Sequence, residues 1–98
     1  MDEKNRIENS LEEAQKTQRA FLQAELEIAL TFTQVAKTQR SMGNLEHAEA
    51  ARARAVEAYE QIQKKLPEVN MPNPDLRSLL SGLDKLRSAL KELSPENH

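Results

Sequence analysis

The first candidates for chemistry in this chain are two histidines and its paired carboxylates, and it contains no cysteine. Without a thiol there is no disulfide framework, thiolate zinc site or cysteine nucleophile. His98 is the last residue of the sequence, and no neighbour suggests a role for it. His47 stands beside Glu46 and Glu49, which opens two functional readings: a metal ligand, or a phosphate-accepting histidine on a bundle helix. Bundles that hold metals place a Glu three residues before the His, but here that position is Asn44. Phosphotransfer histidines are usually followed by a basic residue and a glycine, whereas Ala48-Glu49-Ala50-Ala51 follow His47. The first reading of His47 is therefore a solvated residue at a helix start. The alternative is a small-ligand, metal or phosphotransfer bundle using His47.

Paired carboxylates occur at Glu12-Glu13, Glu25 with Glu27, and Glu46 with Glu49. Acid–base work by such pairs needs a shared pocket that drives their pKa values apart, and a small leucine–alanine bundle rarely encloses one. They read as solvated helix faces, so no catalytic residue, cofactor or metal is expected. Arg40, Arg52, Arg54, Lys64 and Lys65 do not make a nucleic-acid surface. Fourteen basic residues face sixteen acidic ones, the charge is even along the chain, and no aromatics interleave the basic residues. A membrane-surface role is not expected of the third helical stretch either. Asp84 and Glu92 dilute its basic residues, and its leucines are needed for a core. The apolar runs are too short to span a bilayer, and Met1 to Arg6 lacks a signal-peptide core, so the expected location is the cytoplasm.

The elements behind these residues follow from composition. Thirteen Leu, twelve Ala and thirteen Glu stand against two Gly and three aromatics, which is a composition of helices packed on helices. The expected fold is all-α, a three-helix bundle in a single domain spanning 1–98. A long helix 1 (about 2–42) pairs with helix 2 (about 44–66) in an antiparallel hairpin, helix 3 (about 74–93) follows, and 94–98 form a frayed tail. Gly43 suits the left-handed residue that ends helix 1, and Asn44 suits the N-cap of helix 2. Pro67 to Pro74 is too proline-rich for helix. Asn73-Pro74-Asp75 supplies an N-cap, a first-turn proline and an acid for helix 3. Gly82 is a weak spot inside that helix, and its seven leucines require a docking surface.

Helix 1 carries a stripe at Ile7, Leu11, Ala14, Gln18, Phe21, Glu25, Ile28, Phe32, Val35, Gln39 and Met42, with spacings alternating four and three. A second row, Leu22, Leu26, Ala29, Leu30 and Ala36, widens it in the C-terminal half. Residues from about 20 to 42 are therefore expected to be covered on two sides and residues 1 to 19 on one. Phe32 and Val35 are expected to fill the space opposite the alanine-rich start of helix 2. Glu25 either fixes register on the stripe or sits at its edge as the stripe drifts around the helix. Helix 1 is about twice as long as helix 2, so its first 19 residues overhang. Three things can cover them: helix 3, a second chain, or a partner on which the segment orders.

Residues 29 to 60 resemble one tetratricopeptide-repeat hairpin. Phe32 stands at the large position, Val35-Ala36 is the large–small pair, Gly43-Asn44-Leu45 is the turn, and Ala48 and Ala55 fill the small positions. Gln39, Arg52 and Glu60 depart from the pattern, no second copy follows, and the long first helix lies outside the family. The resemblance implies the hairpin geometry and a general capacity to bind proteins, with no binding residues carried over. The expected function is a non-catalytic protein–protein interaction or self-assembly module. Its candidate face is Ile7, Leu11, Ala14, Gln18 and Phe21, and its partner is a protein, first of all a second copy in a homodimer. Neither nucleic acid nor membrane is expected as a partner.

Overall fold

Leucine, alanine and glutamate without internal breakers favour long helices, and the described residues form three. In a computed structural model that describes Asp2 to Ser94, these are α1 (Asp2–Ser41), α2 (Leu45–Lys65) and α3 (Asn73–Glu92). Side chains are described at Arg6 and from Asn9 onward. The Ile7 side chain, His98 and most of the expected tail lie outside the described residues. The all-α three-helix bundle is the observed fold. None of these helices is long and apolar enough to cross a membrane.

Gly43 ends α1 as its position predicts, with φ at +83°. The Asn44 amide donates to the Gln39 carbonyl at 2.8 Å and the Gly43 amide to that of Arg40 at 3.1 Å. This paired closure satisfies the last carbonyls of the helix and requires a left-handed residue at Gly43. Asn44 occupies the N-cap position of α2, but its side chain makes no capping bond. Its Nδ2 instead donates to Gln39 Oε1 at 2.9 Å, so it holds the turn rather than the helix start. The linker is not wholly irregular, since Leu66–Glu68 form a turn of 3-10 helix. α3 begins one residue earlier than the proline signal suggests. Pro72 is its N-cap and Asn73 its first residue.

The core row of α1 is the second row of the sequence reading. Leu22, Leu26, Ala29, Thr33 and Ala36 are buried. They meet Ala58 and Ile62 of α2 and Leu79, Leu83 and Leu86 of α3, with Ala51 and Leu93 closing the far end. The buried Thr33 hydroxyl donates to the Leu30 carbonyl at 2.7 Å, which satisfies it without a partner from another helix. Val35 does not fill the space opposite the thin start of α2; it is 40% exposed. Small residues on both helices, Ala29 and Ala36 against Ala48, Ala51, Ala55 and Ala58, bring the backbones close, and Leu93 with the half-buried Phe32 supplies the bulk.

α3 does not cover the overhang. The chain turns back at the linker, so α3 runs parallel to the second half of α1, from Gly82 against Leu26 to Lys37, whose Nζ lies 3.3 Å from Glu92. Gly82 is a packing requirement: a Cβ there would run into the Leu26 side chain. The hydroxyl of Tyr59 accepts from Arg87 Nε at 3.1 Å and from Gln63 at 3.0 Å, tying α2 to α3. That hydrogen bond is the main reason the Arg87 guanidinium is held above its ordinary pKa. The molecule measures 63 × 21 × 17 Å with a radius of gyration of 17.1 Å. A compact domain of this size would have about 13 Å, and the overhanging half of α1 accounts for the excess.

Candidate interaction face

The overhang departs from the bundle where the linker is fastened. Gln15 Oε1 accepts from the Asn70 amide at 3.0 Å, and Arg19 Nη1 donates to the Asn70 carbonyl at 3.1 Å. Below that clamp, Leu11, Ala14 and Gln18 are exposed, Leu11 to 62%. Phe21 is 40% exposed, with the Lys65 amine 4.7 Å from its ring centroid. Of the expected face, the four residues with described side chains therefore share one uncovered side.

The face runs further than the sequence reading placed it. Ile28 and Val35 of α1, and Met42 just past its end, belong to the expected stripe, yet they are exposed. The stripe of alternating spacing is thus mainly an outer face, offset by about one residue, or 100°, from the buried row. Beside the large column runs a second exposed column of small side chains: Ser10, Thr17, Ala24, Thr31 and Thr38. Ala24, Glu27, Ile28, Thr31 and Phe32 line a shallow groove on it. From Ala14 to Met42 the exposed charged residues are Lys16 and Glu27, and the two columns themselves carry none, in a chain that is 31% charged. Glu25 is half-buried. Phe32 has the Arg54 guanidinium 6.0 Å from its ring centroid.

The signal for this extension was present as composition. Serine, alanine and threonine recur every seven residues from Ser10 to Thr38 next to the large residues, and both columns are nearly free of charge. Periodicity alone does not say which of two adjacent apolar rows faces the core. His47, Glu46 and Glu49 are exposed in the first turns of α2. Among the described residues no group of three or more His, Cys, Asp or Glu is placed to hold a metal ion. Glu12 and Glu13 face solvent on the overhang. Compared with known proteins, the chain matches no family model, no curated protein and no solved structure.

Proposed function

We propose that this protein is a non-catalytic helical module of the cytoplasm that binds another protein chain through the outer face of α1. One observation carries the reading: an apolar, charge-depleted strip runs along one side of α1, on a molecule whose core is already complete without it. Exposed contiguous apolar surface of this kind marks interaction sites, and depletion of charge at its centre is the composition of interface cores. The bundle supports such a role mechanically, since α2 and α3 hold the second half of α1 rigid. A tetratricopeptide-like hairpin agrees with a protein-binding role; Ala48 and Ala55, its small positions, are buried on α2.

The test is a photo-crosslinking amino acid placed at Ile28 in cells, with Glu57, exposed on α2, as control. Adducts form from position 28 in clear excess over position 57. An absence of adducts from position 28 at native expression levels refutes the reading.

A further inference from the structure

We infer, building on the interaction reading above, that the occupant of the α1 face is a second copy of this chain. Its α1 lies antiparallel, and the two-fold axis passes close to residues 22 and 23. Three observations select that occupant. The first is length. α1 has 40 residues, and the bundle covers it only from Leu22 onward. The uncovered half is therefore as long as the half whose outer face is apolar. An antiparallel copy centred between them lays each overhang along the outer face of the other, and each copy supplies what the other leaves open.

The second is shape. From Thr17 onward the face alternates small and large: Thr17, Phe21, Ala24, Ile28, Thr31, Val35, Thr38 and Met42. In a parallel pair in register, large meets large and small meets small, leaving clashes and gaps in turn. With the axis at 22/23, Phe21 meets Ala24 of the second copy, Ile28 meets Thr17 and Val35 meets Ser10, so each of these three large side chains faces a small one. That alternation is what tight helix packing requires. Leu11, which the bundle leaves open, then lies beside Phe32.

The third is charge and area. This register sets Glu27 opposite Ala20 and Glu25 opposite Gln18, so no two acids face each other. Lys65, above the Phe21 ring, lies on the flank where Glu25 of the second copy arrives. A strip about 60 Å long and 10–12 Å wide offers roughly 600–700 Å² per copy, close to the roughly 800 Å² per partner of a standard stable interface.

The experiment joins solution mass with distances. The chain has no cysteine, so single spin labels go on at Ala20→Cys and Ser41→Cys, both exposed positions. Light scattering on the purified full chain gives twice the 11.1 kDa chain mass. The label pair at 20 lies within about 20 Å and the pair at 41 about 55 Å apart, at 1.5 Å per residue. Ile28→Asp and Ala24→Arg each weaken the dimer at least about a hundredfold with helix content unchanged, because both side chains point away from the core. A wild-type monomer overturns the second-copy inference. Adducts from position 28 to other proteins then keep the interaction reading, and their absence ends both. A dimer with equal short distances at both labels overturns the antiparallel arrangement. A dimer indifferent to Ile28→Asp and Ala24→Arg overturns the face itself.

Discussion

Gly82 offers a test of the helix packing in which the sign of the effect is decisive. In an isolated helix, Gly→Ala is stabilising by about 1 kcal/mol, because alanine loses less backbone entropy. Here the new methyl group meets Leu26, with Cγ already 3.3 Å and Cδ1 3.5 Å from the Cβ position and Cδ2 nearer still. Leu26 is 6% exposed and enclosed by the core, so it cannot swing clear without disturbing its neighbours. Overpacking of this kind costs about 1–3 kcal/mol. Gly82→Ala should therefore be net destabilising by about 1 kcal/mol, a fall in melting temperature of about 4–8 °C. In a Leu26→Ala background, itself less stable by about 2–5 kcal/mol, the obstruction is gone. The same Gly82→Ala change should then be stabilising by about 1 kcal/mol. The assay is urea denaturation followed by far-ultraviolet circular dichroism, since the chain has no tryptophan. Gly82→Ala stabilising the wild type would refute the docking of α3 on α1 at this point, and with it the parallel placement of α3.

Further predictions concern the turn and the overhang. Gly43→Ala should cost about 1–2 kcal/mol, because φ is +83° and left-handed geometry disfavours a Cβ; Gly43→Asn should cost less, and denaturation midpoints separate the two. Asn44→Ala should cost under about 0.5 kcal/mol by the same measurement, below the usual loss of a capping side chain, because no capping bond exists. In the Ile28→Asp variant, amides of residues 9 to 18 should exchange with deuterium at least about a hundredfold faster than those of 22 to 36, which mass spectrometry reads by segment. His47→Ala should shift stability by no more than about 0.5 kcal/mol in thermal melts, since the side chain is exposed.

Much of this fold is local in origin and therefore readable from the chain alone. Helix lengths follow from propensity, and the breaks follow from Gly43 and the prolines, whose backbone geometry depends on no distant residue. The hairpin of α1 and α2 follows from the short turn between them. The alanines of α2 and the leucines of α3 announce burial because their spacing repeats at the helical period. That the first half of α1 extends past α2 follows from unequal helix lengths; that α3 leaves Leu11, Ala14, Gln18 and Phe21 exposed does not, because it depends on where α3 packs.

Other features depended on where distant parts of the chain meet. Two apolar rows on α1, one residue apart, have similar period and hydrophobicity. Only the positions of α2 and α3 turned Leu22, Leu26, Ala29 and Ala36 inward and left Phe21, Ile28, Val35 and Met42 outside. Gly82 is a weak spot by helix propensity alone, and only the packing of Leu26 against it makes glycine the residue that fits. Asn44 has the side chain of a cap, but Gln39 one turn back offered it another hydrogen bond. The direction of α3 shows in contacts between distant residues, Gly82 against Leu26 and Glu92 beside Lys37, with Asn70 of the linker meeting Gln15 and Arg19, 51 to 55 positions away along the chain. Periodicity reports that a helix has an apolar side; which side is inside depends on the free energy of packing against partners distant in sequence, and that is decided in three dimensions.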